Sequence, residues 1–101
     1  MPIETYRLEL REDDAATGLD VTVYGDDDLV ETSTRITYEA YGLEPAADRE
    51  DPAPIEREVT ADVTTTDVQF ERDGAGFSVR LLGDREVLLA ERVDDESWGL
   101  A

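Results

Sequence analysis

Apolar and polar residues alternate with a period of two along most of this chain. That restricts the fold to sheets with one face covered and one face wet. Tyr6, Leu8 and Leu10 alternate with Arg7, Glu9 and Arg11, and Leu19, Val21 and Val23 alternate with Asp20, Thr22 and Tyr24. The acidic run Glu12-Asp13-Asp14, with Gly18 after it, marks the first turn, and Gly25-Asp26-Asp27-Asp28 marks the second. In the second half Ile55, Arg57, Val59, Ala61 and Val63 share one face, and the Thr64-Thr65-Thr66-Asp67 patch reads as a bend or bulge. Val68, Phe70 and Arg72 follow, and Asp73-Gly74-Ala75-Gly76 is a hairpin signal. Phe77, Val79 and Leu81 continue to a turn at Gly83-Asp84, and Val87, Leu89 and Val93 are expected on one face of the last strand.

Two segments admit a second reading. In 28–41, Val30, Thr32, Thr34, Ile36, Tyr38 and Ala40 line one face of an expected long strand ending at Gly42. Asp28 with Glu31 also resembles a helix start, and Gly42 a helix stop, but the β-branched content favours a strand. The segment 84–96 contains REVLLAER, rich in helix formers. The expected fold is therefore mainly β, an antiparallel sheet arranged as a sandwich, a partly closed barrel or a sheet with one helix. The alternative is α+β with helices near 28–41, 84–96 or both. The chain reads as a single domain over 1–101, with a Pro-, Ala- and acid-rich loop at 43–54 and a C-terminal tail at 94–101.

Composition then bounds the setting. Of 101 residues, 27 are acidic and 9 basic, for a net charge of −18, and all the bases are arginine. Lysine is normally abundant, so its absence is selective. Carboxylates favour solubility, whereas a lysine stem adds apolar surface that concentrated salt makes adhesive. This profile resembles the cytoplasmic proteins of salt-accumulating haloarchaea, a likeness of composition over the whole chain. Mimicry of nucleic acid by carboxylates is the rival reading, but it gives no reason to discard lysine. Direct nucleic-acid binding is not expected, because the arginines are scattered singly among acids and form no basic patch. The start MPIETYRLEL lacks the basic and apolar regions of a signal peptide, and the longest strictly apolar run is Val87-Leu88-Leu89-Ala90. A cytoplasmic protein with no membrane association is expected.

Chemistry is poorly signposted. Cysteine and histidine are both absent, which removes thiolate ligands and the usual neutral-pH base. Asp26, Asp27, Asp28 and Glu31 form the best candidate metal cluster, although the spacing of an EF-hand loop is missing and only weak binding of hydrated cations is expected. Gly74-Ala75-Gly76 lacks the lysine and following helix of a phosphate loop. Ser33, Ser78 and Ser97 have no histidine or lysine to activate them. Tyr24 and Tyr41 fall opposite the main apolar alternation and are candidate interface residues, as is Trp98, the only tryptophan. The tail bearing Trp98 is expected either to dock on its own core or to anchor in a partner. The expected function is a halophile-adapted, non-enzymatic binding or interaction module, without a cofactor, that pairs with a second copy or serves another protein. A carboxylate-based, divalent-metal-dependent enzyme or enzyme subunit is the alternative.

Overall fold

The computed structural model describes residues 3–50 and 52–100. Seven strands follow in chain order: β1 Glu4–Glu12, β2 Gly18–Tyr24, β3 Val30–Thr37, β4 Ile55–Ala61, β5 Thr66–Arg72, β6 Gly76–Gly83 and β7 Glu86–Asp94. All pairings are antiparallel, in a four-stranded sheet ordered β3-β2-β1-β4 and a three-stranded sheet ordered β5-β6-β7. The sheets stack with β3 nearest β5 and β4 nearest β7, a two-sheet sandwich rather than a closed barrel.

Alternation builds the core directly. Tyr6, Leu8 and Leu10 of β1 and Leu19, Val21 and Val23 of β2 turn inward to meet Phe77, Val79 and Leu81 of β6 and Val93 of β7 in one buried cluster. Each large side chain fully buried there contributes roughly 1.5–3 kcal/mol before chain entropy is counted. The edge strands are thinner: Ile36 is the buried apolar residue of β3, and Ile55, Val59 and Ala61 of β4 are half-buried. Arg57 lies on the same side of β4 as Ile55 and Val59. Its Nε forms an ion pair across the gap with Glu91 Oε2 of β7 at 3.0 Å, closing that open side.

Neither helical alternative is realised. Over 28–41 the chain forms β3 and then a short 3-10 helix, Tyr38–Tyr41. Asp28 belongs to the β2–β3 turn with φ of 59°, and Asp27 Oδ1 accepts the Leu29 N–H at 3.2 Å, so these acids shape a turn instead of capping a helix. Gly42, at φ 67°, does stop a helix, but one of a single turn. The segment 84–96 is mostly β7, where ladder pairing with β6 overrides helix propensity. Asp84 and Arg85, with φ of 49° and 74°, form the two-residue β6–β7 turn. Two positive φ values are what the twist of a tight hairpin favours, although glycine and asparagine usually supply them. Among the described residues, no helix is long and apolar enough to cross a membrane.

The proline-rich loop and the C-terminal tail hold each other. Pro45 and Leu100 form an isolated antiparallel bridge, and the Ala46 N–H donates to the Gly99 carbonyl at 2.8 Å. Arg49 bonds the Glu12 carboxylate at 2.5 Å and donates Nη1 to the Trp98 carbonyl at 2.8 Å. Gly99 has φ of 63°, and a Cβ there would meet the Arg49 stem at 2.7 Å, so the residue must be glycine on both counts. Arg72 grips the other end of the tail with a two-pronged bond to Asp95, at 2.6 and 2.7 Å, and lies 4.9 Å from the Phe77 ring centre. Lysine could not supply these planar forks, which gives the retained arginines a structural use.

Candidate binding face

The residues singled out in the sequence do not assemble into one site. Asp26 Oδ1 accepts the Thr5 N–H at 2.8 Å, Asp27 is committed to Leu29, and Asp28 receives Arg7 Nη1 at 3.3 Å. The three carboxylates diverge from one turn. Among the described residues, no three acidic side chains gather as a metal site. Trp98 is 6% exposed and part of the core cluster, so its ring docks on its own chain and is not displayed to a partner. Tyr24 lies on the outer face of the four-stranded sheet beneath the Arg7 guanidinium, 4.5 Å from the ring centre. Tyr41 has left the sheet for the 3-10 helix, where its ring makes a T-shaped pair with Phe77, ring centres 5.2 Å apart. The two tyrosines therefore do not share a strand face. Alternation could not reveal this, because the strand periodicity ends at Thr37.

Several titratable groups serve the fold. Burial, then the hydrogen bond it donates to Glu12 Oε2 at 2.6 Å, holds the Tyr38 phenol well above its ordinary pKa. Hydrogen bonds from Arg92 and from the Ala75 and Gly76 amides hold the Asp73 carboxyl well below the usual range. Asp84 is likewise lowered, first by the Thr64 N–H and then by the Thr65 N–H, tying the β4–β5 connection to the β6–β7 turn. In molar KCl, where charge repulsion is screened, these two carboxylates set an acid limit. A depressed folded pKa contributes stability that is full above the unfolded value, about 4, and is lost as pH falls through the lower folded value. The melting midpoint in molar KCl is therefore expected to drop below about pH 4, and Asp84→Asn to shrink that drop. A midpoint flat down to pH 2, or an identical drop in the variant, would refute the assignment.

The outer face of the three-stranded sheet is different. Leu82 of β6 stands opposite Val87 of β7, because the ladder slips between Leu81 and Leu82. This bulge takes Val87 off the face expected to hold Leu89 and Val93. Leu88 instead covers Gly83, where a Cβ would meet Leu88 Cδ1 at 2.6 Å. Val87 is left 56% exposed beside Leu82. A depression of about 810 Å³ opens over this pair, lined also by Thr65, by Thr66, Asp67 and Gln69 of β5, by Arg80 of β6 and by Asp84 and Arg85 of the β6–β7 turn. Arg80 is paired with Glu71 at 3.3 Å. Eight of the nine arginines form an ion pair with at least one carboxylate, and Arg85 has none among the described residues. The sequence carried one signal for this face, the Asp-Arg dipeptide at a two-residue turn where glycine would be easier.

No family model matches the chain, and neither a curated protein nor a solved structure matches it.

Proposed function

We propose that this chain is a non-enzymatic binding module adapted to concentrated salt, and that its binding face is the outer surface of β5-β6-β7. The observation that supports the reading is the depression over Leu82 and Val87, which puts apolar surface where alternation elsewhere leaves polar residues. Its volume of about 810 Å³ suits a small ligand, and its mixture of an apolar floor with a few polar groups is the usual make-up of such sites. Salt adaptation is supported by the charge of −18 and the exclusive use of arginine.

Amide spectra in molar KCl, recorded against a set of small organic fragments, test the assignment. Hits are expected to move Thr66, Gln69, Leu82 and Val87, and to leave the Asp26–Asp28 turn still. Generic ester, phosphate and glycoside substrates are expected to remain intact with or without Mg²⁺. Turnover abolished by Asp26→Asn would replace this reading with a carboxylate enzyme, and hits scattered over both sheets would remove the face.

A further inference from the structure

We infer that the depression on β5-β6-β7 takes a small organic anion, its charged group held by Arg85 and its apolar body lying on Leu82 and Val87. This rests on the binding-face reading above and adds the class of ligand.

The first argument is the state of Arg85. In a chain with three acids for every base, a guanidinium readily finds a carboxylate, and the other eight do. Arg85 is next to Asp84, yet the Asp84 carboxylate turns away and accepts from the Thr64 and Thr65 amides and the Thr65 hydroxyl. Its five donors are thus free of carboxylates among the described residues, and the residue lines the depression over Leu82 and Val87. The second argument is conformational. Arg85 sits at φ 74°, where a side chain is costly and glycine is not. The turn thus keeps an arginine side chain at a position that glycine would fill with less strain.

The third argument is the floor. At molar salt, fields reach only about 3 Å, so a distant positive patch attracts nothing. Recognition of an anion then needs direct contact, a planar fork on the charged group together with apolar surface for the rest. The bulge in β7 supplies that surface, and Gln69, Thr66 and Arg80 add polar groups around it. Of the two carboxylates on the same lining, Asp84 is taken up by the Thr64 and Thr65 amides and Asp67 accepts the Val68 N–H, which leaves Arg85 as the group without a partner among the described residues. A carboxylate, sulfonate or phosphate on an aromatic or aliphatic body fits this arrangement.

The test uses anilinonaphthalene sulfonate, an anion on an apolar body, and neutral phenylnaphthylamine, titrated by fluorescence in molar KCl. Saturable one-to-one binding of the sulfonate is expected. Arg85→Gly should weaken it by at least about tenfold, the loss of one charge-assisted bond. The same variant should melt no lower than the unaltered chain, because glycine suits that backbone, which separates lost contact from lost fold. Neutral-probe binding should be unchanged by Arg85→Gly and weakened by Val87→Ser. Equal sulfonate affinity with and without Arg85, or no saturable sulfonate binding at all, overturns the inference. If Val87→Ser still weakens the neutral probe in that case, the binding face stands and only the anion assignment falls. If Val87→Ser affects neither probe, the face falls with it.

Discussion

In molar KCl the domain is expected to melt far above its midpoint at ten millimolar salt. The charge of −18 is carried on a molecule with a radius of gyration of 14.2 Å. The screening length is about 30 Å at 0.01 M and about 3 Å at 1 M. At low salt every uncompensated carboxylate therefore repels nearly all the others, and at high salt only its neighbours. Local geometry adds to the total. Glu9 stands directly opposite Glu56 across the β1–β4 ladder, a like-charged pair that destabilises a sheet. Asp26, Asp27 and Asp28 crowd one turn. The unfolded chain spreads the same charge over a larger volume, so repulsion favours unfolding. A uniformly charged globule of this size gains on the order of 5–10 kcal/mol relative to its unfolded chain between those salt concentrations. That is comparable to the whole stability of a small domain. Each 1 kcal/mol shifts the midpoint by about 4–8 °C, so a rise of tens of degrees is expected, read by thermal melts in KCl. A midpoint that does not move would remove salt adaptation from the proposed function.

Arg49→Ala is expected to be the most damaging single substitution among the polar residues, costing about 3–5 kcal/mol in molar salt. The Arg49 and Glu12 side chains are 10% and 8% exposed, and removing one strands the other away from water. The loss spreads further. Glu12 also accepts the Tyr38 hydroxyl, so the same carboxylate anchors the end of β1 to the 3-10 helix. Arg49 holds the Trp98 carbonyl, and its stem packs under Gly99. Without it the tail keeps its Arg72–Asp95 end, the Ala46–Gly99 and Asp95–Ala75 backbone bonds and the Pro45–Leu100 bridge, but the grip on Trp98 itself is lost and its ring is expected to loosen from the core. Tryptophan fluorescence is thus expected to shift to longer wavelength in Arg49→Ala before the sheets melt. Glu12→Gln combined with Arg49→Met should recover part of the stability, since a neutral, well-filled replacement avoids the stranded charge. Additive costs in the double variant, or a loss below about 1 kcal/mol in Arg49→Ala, would show that the pair behaves as an exposed one.

Much of the architecture was legible because period-two patterning is a direct record of burial. Tyr6, Leu8, Leu10, Leu19, Val21, Val23, Phe77, Val79 and Leu81 could be read inward from spacing alone, and all are buried. The hairpin at Asp73 to Gly76 was legible for the same kind of reason, since the Asp73 carboxylate caps its own turn through the Ala75 and Gly76 amides. These are local interactions, and a sequence states local interactions openly. The anionic surface was equally plain, because composition needs no fold.

Pairing between distant segments was not legible. Spacing alone does not say which edges meet, so the division into β3-β2-β1-β4 and β5-β6-β7 came from the fold. The tail's choice between its own core and a partner was decided by Arg49 and Arg72, which lie far away in sequence. Above all, the candidate face depends on one slip in the ladder between β6 and β7. A bulge inserts one residue and reverses which side every later side chain takes, and its position is set by the partner strand. Val87 therefore reads as core in the sequence and stands in solvent in the structure. The sequence determined alternating antiparallel strands and a strongly acidic composition, because burial periodicity and charge are properties of residues taken in order. Tertiary structure alone decided where the two-sheet sandwich exposes apolar surface beside an arginine unpaired among the described residues, because register is a property of two strands together.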